Sequence, residues 1–304
     1  MKIFLTGATG FVGAAVLTEL LRSKENDVSC LVRTMPPADK IAGWKPVVGD
    51  LTDISSFQTG LSGNDVIIHC AGRAHILKDP SKEPLREFRK INSDSTLRLA
   101  EAGVSAGVKR FIFLSSIKVN GEETVSGHPF DHTSAPSPVD PYSVSKYEAE
   151  ERLRALSTYS GLQVCIIRPT LVYGFGVKGN VHRLIQLIYK RLPIPCASLK
   201  FNKRSMVHID NLVSLIITCI HHRNAGGETF LVSDDQDMST SEFIYTLGKL
   251  YAVPVRQVYF PLWIMFYLAR AFGYGAEIKR LTGDLQVNID HTKNSLNWIP
   301  PRDL

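Results

Sequence analysis

The sequence predicts an α/β protein built on a parallel β-sheet with helices on both faces. Three observations support this fold class. Six short runs of apolar or β-branched residues recur up to about residue 170, longer stretches with apolar residues at helical spacing separate them, and a glycine-rich turn follows the first run. Alternating strands and helices form βαβ units, whose parallel strands are covered on each side. We therefore predict a doubly wound sheet.

The predicted strands are five to seven residues long, as expected for strands buried in a sheet. They are K-I-F-L-T from Lys2, D-V-S-C-L-V-R from Asp27, K-P-V-V-G from Lys45, D-V-I-I-H-C-A from Asp65, R-F-I-F-L-S-S from Arg110 and Q-V-C-I-I-R-P from Gln163. The intervals Leu85–Val108 and Tyr142–Ser160 predict crossover helices. Beyond Gly174 the pattern loosens into pieces interrupted by glycine and proline, with helices predicted at Asn211–His221, Ser241–Tyr251 and Pro261–Phe272.

The composition is that of an ordinary globular protein. The 304 residues are 44% apolar and 21% charged, and 35 Lys and Arg against 29 Asp and Glu give a net charge of +6. These values exclude a disordered chain, a collagen-like repeat and a disulfide scaffold. A charge of +6 over this length is weak support for a nucleic-acid or membrane partner and is compatible with a small polyanionic ligand. We predict no nucleic-acid partner.

The cysteines and histidines predict neither disulfides nor a metal site. The cysteines are odd in number and widely spaced, mostly within apolar runs, so we expect reduced thiols at Cys30, Cys70, Cys165, Cys196 and Cys219. No metal-ligand spacing occurs, and the pair His221 and His222 is interpreted as a helix end.

The glycine-rich turn connects the first strand to the first helix. Its sequence is Gly7-Ala8-Thr9-Gly10-Phe11-Val12-Gly13, and a helical A-A-V-L-T-E-L-L follows, which is the context of a dinucleotide fingerprint. Gly7 would permit the tight turn, Gly10 the approach of a pyrophosphate, and Gly13 close packing of helix on strand, while the helix N-terminus offers N–H donors to the anion. We expect Phe11 and Val12 to contact the cofactor too. The sequence thus predicts a Rossmann-type NAD(P) site.

The end of the second strand bears on the choice of cofactor. An NAD enzyme usually places a carboxylate there for the adenosine ribose, but this chain has Val32-Arg33. A guanidinium can bind a 2′-phosphate through paired, charge-assisted hydrogen bonds. We therefore favour NADP(H) over NAD(H), with the alternative that Arg33 is a solvated charge at a strand end.

Three further strand ends are predicted to contact the cofactor. Asp50-Leu51 closes the third strand, where the carboxylate can accept a hydrogen bond from the adenine amino group. Ala71-Gly72 follows the fourth strand with small residues, as needed where a cofactor lies against backbone, and Ser115 follows the fifth. Residues 1–174 are accordingly the predicted NAD(P)-binding domain. Residues 175–304 form mainly a smaller, interleaved α/β substrate lobe, with segments near 205–235 returning to the first domain.

A serine and a Tyr-x-x-x-Lys pattern predict proton-handling chemistry. Ser116 follows the fifth strand, and Tyr142 and Lys146 open the next helix, where the four-residue spacing puts them on one face. A phenol with a pKa of about 10 is a poor acid or base at neutral pH, and a neighbouring ammonium lowers that pKa. We predict that Tyr142 exchanges a proton with a substrate oxygen and that Ser116 hydrogen-bonds this oxygen. Lys146 would lower the Tyr142 pKa and hold the nicotinamide ribose.

Together these residues resemble those of the extended short-chain dehydrogenases/reductases, in the branch of nucleotide-sugar 4-epimerases and 4-ketoreductases. The resemblance covers nearly the whole chain and rests on G-A-T-G-F-V-G, G-D-L, H-C-A-G, Asn92 in a helix, F-I-F-L-S-S, Y-S-V-S-K and I-I-R-P-T-L-V-Y-G. It implies that Asn92 is a structural and proton-relay position beside the cofactor and that Pro169 lies by the nicotinamide.

The resemblance also implies a UDP-sugar substrate. In members that use UDP-sugars, a Gly-Asn after the sixth strand and a later arginine contact the diphosphate, and the corresponding residues here are Gly179-Asn180 and Arg204. Arg280 resembles a second arginine that contacts the diphosphate. Two arginines on two phosphates would form charge-assisted hydrogen bonds and account for part of the positive charge.

Two reactions remain open within this branch. The stretches S-S-I-K-V-N-G-E and D-P-Y-S-V-S-K-Y-E-A-E resemble those of enzymes that reduce UDP-4-keto-6-deoxy-N-acetylhexosamines in the synthesis of surface polysaccharides such as O-antigen. Arg33 suits the NADPH that a reductase consumes, so we favour reduction. The alternative is a UDP-glucose or UDP-N-acetylglucosamine 4-epimerase with retained NAD, and a minor one is a non-catalytic NADP-sensing protein. Ile117-Lys118, where dehydratases carry Asp-Glu, argues against dehydration.

The apolar runs predict where the protein is located, and the family resemblance predicts how it assembles. No long apolar signal region begins the chain, and the run Tyr259–Ala269 is shorter than the ~20 residues of a spanning helix, so we expect a cytoplasmic protein without a membrane span. A membrane-associating helix is the alternative for this run, whose larger side chains we expect instead to line the substrate lobe or a partner surface: Trp263, Phe266 and Tyr267. The resemblance implies a homodimer.

Overall fold

The fold is centred on a seven-stranded parallel sheet. The computed structural model describes residues 1–74 and 81–302. Its strands are β1 (Lys2–Thr6), β2 (Asp27–Val32), β3 (Lys45–Val48), β4 (Val66–His69), β5 (Arg110–Leu114), β6 (Gln163–Pro169), β7 (Leu171–Tyr173), β8 (Met206–His208) and β9 (Thr229–Val232). The large sheet has the order β3-β2-β1-β4-β5-β6-β9, and β7 pairs with β8 separately. The predicted fold class is confirmed, and all six predicted strands are present.

Helices connect the strands and cover the sheet. They are α1 (Phe11–Leu20), α2 (Pro84–Arg89), α3 (Ser95–Ser105), α4 (Pro141–Ser160), α5 (Gly179–Tyr189), α6 (Ile209–His221), α7 (Thr240–Leu250), α8 (Leu262–Ala271), α9 (Gly275–Thr282) and α10 (Asp290–Leu296). A π-helical turn, Lys90–Asp94, joins α2 to α3, where the sequence predicts one continuous helix. Such turns are rare and frequently lie at functional sites.

Alternation of side chains along the strands builds a core on each face of the sheet. Ile3 and Leu5 point to the face covered by α1 and α6, whereas Phe4 points to the face covered by α3 and α4. A third core lies between α5 and α7, in the predicted substrate lobe. The seventh strand, β9, was not predicted as a strand; it pairs with β6, so the chain returns from the lobe to the sheet there.

Candidate active site

The predicted cofactor residues gather at one edge of the sheet because parallel strands all end there. The strand order reverses between β1 and β4, which diverge into connections on opposite sides. A crevice at such a switch point is the usual ligand site of an open α/β sheet. The glycine turn follows β1 and Ala71-Gly72 follows β4, so both lie at this point.

The glycine turn is packed too tightly for side chains. Gly7 has φ +78°, and a Cβ there would lie 2.7 Å from the Ala71 nitrogen. A Cβ on Gly13 would lie 2.1 Å from the Gly7 carbonyl oxygen, so the first turn of α1 sits directly on the loop. Gly10 precedes α1, which has no side-chain cap at its N-terminus. This backbone cradle next to uncapped N–H donors fits a pyrophosphate. Phe11 and Val12 are half-buried against the core below it.

The residues predicted for the adenosine end lie at neighbouring strand ends. Arg33 is exposed after β2, and its charge helps to lower the pKa of Asp50 after β3. The larger cause of that lowered pKa is hydrogen bonding, since the Thr52 hydroxyl and N–H both donate to the same Asp50 carboxylate oxygen, at 2.7 and 2.8 Å. Leu51 packs on the core. Arg33 and Asp50 thus place one positive and one negative side chain at the predicted adenosine position.

Tyr142 is the second residue of α4 and pairs with Ser116. Burial raises the pKa of Tyr142 to about 12, a hydrogen bond with Ser116 lowers it, and the Asp140 carboxylate raises it. The net shift is opposite to the lowering predicted from the sequence, because desolvation of the phenolate outweighs the hydrogen bond. The Tyr142 ring also contacts Phe88 of α2 edge to face, with centroids 6.1 Å apart. The phenol is therefore neutral at pH 7.

Lys146 lies one turn after Tyr142 on α4, and its side chain is buried. Its ammonium donates a hydrogen bond to the Leu114 carbonyl at 2.8 Å and lies 4.5 Å above the Phe113 ring. Burial lowers the pKa of Lys146 to about 8, although Cys70 and Glu150 raise it. A Cβ on Gly72 would lie 3.3 Å from the ammonium. Lys146 therefore faces the same crevice as the loop after β4.

Asn92 lies in the π-helical turn and is completely buried. Its side chain accepts a hydrogen bond from the Arg73 N–H at 2.7 Å and donates to the Arg73 carbonyl at 3.0 Å and the Ser145 hydroxyl at 3.0 Å. The Ser145 hydroxyl in turn donates to the Tyr142 carbonyl at 2.7 Å. Asn92 thus ties the loop after β4 to the helix that carries Tyr142 and Lys146.

His69 is hydrogen-bonded to two threonines next to the Asn92 network. Its ring lies 2.6 Å from the Thr6 hydroxyl and 2.9 Å from the Thr96 hydroxyl, which itself donates to the Asn92 carbonyl. Thr96 therefore accepts from the protonated Nε2 of His69, and Thr6 donates to Nδ1. Burial lowers the His69 pKa to about 3, and the Lys146 charge adds to this shift, so the ring is neutral.

Ser115 belongs to a buried ionic network that the sequence analysis did not identify. Its hydroxyl donates to the Glu150 carboxylate, which also receives two hydrogen bonds from the Arg168 guanidinium. Arg168 donates to the Asn120 side chain at 3.0 Å as well. Glu150 is fully buried and lies one turn after Lys146. The Ser115 hydroxyl therefore points into the protein, and the residue predicted to contact the cofactor secures the end of β5. Pro169, at the end of β6, is buried beside this network.

Lys118 secures the start of α4. Its ammonium pairs with the Asp140 carboxylate and with Glu122, at 3.1 Å from the latter. Asp140 is the N-cap of α4 and accepts a hydrogen bond from the Ser143 N–H at 2.7 Å in a capping box. The only signal in the sequence was the position of Lys118 in S-S-I-K-V-N-G, because Asp140 lies 22 residues further along the chain.

The predicted substrate arginines lie together at the entrance from the substrate lobe. Arg204 donates to the Arg280 carbonyl at 2.7 Å, and burial lowers its pKa. The Arg280 guanidinium pairs with Glu122 at 2.8 Å. Asn180 is exposed in the first turn of α5, and its side chain has no hydrogen bond to another described residue. The structure thus joins two of the three predicted substrate residues and links them, through Glu122, to Lys118.

Metal and membrane features are absent from the part of the chain that the structure describes. Among residues 1–74 and 81–302, no group of three or more His, Cys, Asp and Glu side chains is placed to hold a metal ion. Within the same ranges, every helix is too short or too polar to cross a bilayer. The five cysteines are unpaired thiols.

Comparison with known proteins identifies relatives along the whole chain. The sequence model of the NAD dependent epimerase/dehydratase family matches residues 3–233. The UDP-glucose 4-epimerase of Vibrio cholerae is 44% identical over 303 residues, which cover 100% of this chain and 92% of that protein.

Solved structures of low sequence identity share the fold. The UDP-glucose 4-epimerase of Thermotoga maritima, solved with UDP-glucose, superposes with a TM-score of 0.79 at 20% identity, covering 100% of this chain and 94% of that one. The UDP-glucuronic acid 4-epimerase of Bacillus cereus, solved with NAD, gives a TM-score of 0.78 at 20% identity with the same coverage.

Proposed function

Because the chain belongs to the NAD dependent epimerase/dehydratase family, we propose that it is a UDP-sugar 4-epimerase that retains NAD. The observation that carries the proposal is the 44% identity with the Vibrio cholerae UDP-glucose 4-epimerase over the whole chain. Relatives of the same fold were solved with UDP-glucose and with NAD, which supports the same ligands here.

The residues at the strand ends fit a dinucleotide. The glycine cradle has no room for a Cβ at Gly7 or Gly13, and the helix N-terminus beyond it can bind the pyrophosphate. Asp50 can accept from the adenine amino group, and Lys146 can donate to the nicotinamide ribose. Bound NAD would supply the hydride chemistry, by taking a hydride from C4 of the sugar and returning it to the other face.

The protein's own residues handle the proton of the C4 hydroxyl. Epimerisation needs Tyr142 in two states: as the phenolate that takes the C4 hydroxyl proton when the hydride leaves C4, and as the phenol that returns this proton when the keto group is reduced. The raised pKa favours the second state at pH 7. Ser116, which is hydrogen-bonded to Tyr142, can donate to the same oxygen. Lys146, one turn away, supplies the positive charge that favours the phenolate when Tyr142 takes the proton.

The diphosphate of the substrate would bind between the two arginines. The Arg204 guanidinium donates a hydrogen bond to the Arg280 backbone carbonyl. Burial is the main cause of the lowered Arg204 pKa, and the Arg280 charge adds to this lowering although Asp284 opposes it. An anion placed between them relieves this repulsion and forms charge-assisted hydrogen bonds. Asn180, free on α5, can add an amide contact.

Incubation with UDP-glucose, and separately with UDP-N-acetylglucosamine, tests the proposal. The expected result is formation of the C4 epimer without added nicotinamide and without net oxidation or reduction of it. Tyr142→Phe is expected to lose this activity while retaining NAD. Failure of protein that holds NAD to interconvert either pair would contradict the epimerase proposal.

A second candidate is reduction of a UDP-4-keto-6-deoxy-N-acetylhexosamine with NADPH, and the observation that favours it is Arg33. The side chain is exposed at the end of β2 and stands where an NAD enzyme usually has a carboxylate. A reductase would consume one NADPH for each product. Epimerisation would leave the nicotinamide pool unchanged, so absorbance of the reduced nicotinamide separates the two reactions.

Arg33→Ser tests the cofactor preference itself. If Arg33 binds a 2′-phosphate, the variant should bind NADPH about 10- to 100-fold more weakly and NADH equally well. Arg22→Ser, a change of another exposed arginine in the turn after α1, is the matched control. Equal affinity of the Arg33 variant and the wild type for NADPH would assign Arg33 to the solvated surface.

A further inference from the structure

Two segments of the substrate lobe, residues 187–203 and 256–281, concentrate exposed apolar side chains, and we name them together the apolar–basic surface. Among the described residues, 23 large apolar side chains are exposed, and 13 of them lie in these segments. A soluble monomer rarely exposes a contiguous apolar area of this kind without a binding role. This concentration of exposed apolar side chains therefore indicates a binding surface.

Helix α8 is the centre of the apolar–basic surface, and none of its residues is buried. Trp263, Phe266, Tyr267 and Arg270 follow the spacing that places residues on one helix face. Trp263 is 73% exposed and Tyr267 is 71% exposed. Met265 contacts the third core from the other side of the helix. Of the two positions predicted for these aromatic side chains, lining the lobe or a partner surface, the structure shows them pointing outward rather than into the lobe.

The two segments are adjacent in space. The Ile194 N–H donates to the Arg256 carbonyl at 2.9 Å, and the Val258 N–H donates to the Ile194 carbonyl at 3.0 Å. The Ser198 hydroxyl donates to the Phe260 carbonyl at 2.7 Å. The loop after α5 thus runs beside the segment that leads into α8, so their exposed side chains form one surface.

This surface is strongly basic. The two segments contain eight Lys and Arg and one acidic residue, a net charge of +7, whereas the rest of the chain carries −1 in a total of +6. Lys279 and Arg280 pair with Glu123 and Glu122. Lys190, Arg256 and Arg270 have no carboxylate within 4.0 Å among the described residues. The excess charge of the whole protein therefore lies beside its exposed aromatic residues.

We propose that the apolar–basic surface docks on an anionic lipid bilayer, with α8 lying in the interface. Aromatic side chains on one face of a helix insert between headgroups, and nearby Lys and Arg are attracted to anionic lipids. A second copy of this chain is a poorer occupant, because a symmetric pairing would bring two surfaces of the same positive charge together. The proposal does not depend on the identity of the sugar substrate.

Trp263 provides a direct readout. Of the three tryptophans, Trp298 is buried and Trp44 is half-buried, so Trp263 is the one placed to report a change at this surface. Vesicles of phosphatidylglycerol should shift the tryptophan emission to shorter wavelength and should carry the holoenzyme upward in a flotation gradient. Vesicles of phosphatidylcholine should do neither, and high salt should release the bound protein.

Variants test whether the protein binds vesicles through the apolar–basic surface. Trp263→Ser with Tyr267→Ser, and separately Arg256→Glu with Arg270→Glu, should each reduce the vesicle-bound fraction at least about fivefold. The matched controls are Tyr159→Ser and Lys24→Glu, which change an exposed tyrosine and an exposed lysine of the other domain. Catalytic turnover in solution reports that each variant is folded. The proposal is overturned if phosphatidylglycerol vesicles do not bind the protein, or if the surface variants bind as the controls do. It is equally overturned if the aromatic variant only changes the oligomeric state.

Discussion

Tyr142 is the residue on which the proposed chemistry depends most directly. Burial holds its pKa at about 12, so the phenol is a proton donor at pH 7 and removal of the hydroxyl leaves no substitute at that position. Tyr142→Phe should lower kcat about 10²- to 10⁴-fold and change KM little, because the ring and its contact with Phe88 remain. Kinetics on UDP-glucose provide the measurement. The control is Tyr159→Phe, at an exposed position of α4, and a similar loss in both would refute the assignment.

Glu150 is the buried anion that organises the residues behind the catalytic cluster. Glu150→Gln leaves Arg168 buried with no carboxylate, so the free energy of unfolding should fall by about 3–5 kcal/mol. Urea denaturation monitored by circular dichroism measures this change. Glu151→Gln, which removes an exposed carboxylate on the next residue, should cost less than about 0.5 kcal/mol. Comparable losses in the two variants would show that the buried pair adds nothing to stability.

The sequence could predict residues that act through local pattern and could not predict those that act through distant partners. Gly7 and Gly13 stand in a fixed motif, and Tyr142 and Lys146 are one helical turn apart, so spacing alone brought them together. Glu150 and Arg168 are 18 residues apart, on a helix and a strand whose mutual contact follows only from packing. The direction of the Tyr142 pKa shift was missed for the same reason, since burial is a tertiary property.

At the scale of elements, the N-terminus of α4 determines the position of Tyr142, the proposed proton donor and acceptor. Asp140→Ala removes the capping box and the partner of Lys118, which should lower the free energy of unfolding by about 1 kcal/mol and kcat by about tenfold, since Tyr142 lies in the first turn. Ser239→Ala removes the corresponding cap of α7 and should cost similar stability without the loss of kcat. Asp140→Asn retains a capping oxygen and should restore most of the activity. An equal kcat for the two alanine variants would argue against this positioning role.

Elements with a strong period were predictable, whereas short or irregular ones were not. The six strands and the helix over Tyr142–Ser160 follow clear apolar patterns, and the structure contains them with ends shifted by a few residues. The π-helical turn at Lys90–Asp94 could not be recognised from the spacing of apolar residues, because one extra residue in a single turn changes that spacing too little. The strand β9 has four residues and follows a glycine pair, so its place beside β6 is a matter of tertiary pairing.

At the scale of the whole molecule, one sheet edge carries the predicted cofactor residues that follow its strands, α4 carries Tyr142 and Lys146, and the lobe supplies the two arginines. The order β3-β2-β1-β4-β5-β6-β9 places the glycine turn and the serine pair two strand positions apart along that edge. Asn92 and His69 then join the loops at its centre through buried hydrogen bonds. Stability of the sheet edge and integrity of the site are consequently coupled, and pH should affect both through the one buried histidine in this network.

His69 makes the stability of the whole protein sensitive to acid. Its pKa is about 3 in the folded protein because of burial, against 6.5 when unfolded, so between these values the unfolded chain binds a proton that the folded protein does not. The stability is therefore complete above about pH 6.5 and is lost as the pH falls towards 3, by on the order of 5 kcal/mol. Denaturant unfolding across this range should show a steeper decline for the wild type than for His69→Gln, whereas His128→Gln, at an exposed histidine, should follow the wild type. Parallel curves for the wild type and His69→Gln would mean that protonation of this ring does not drive acid unfolding.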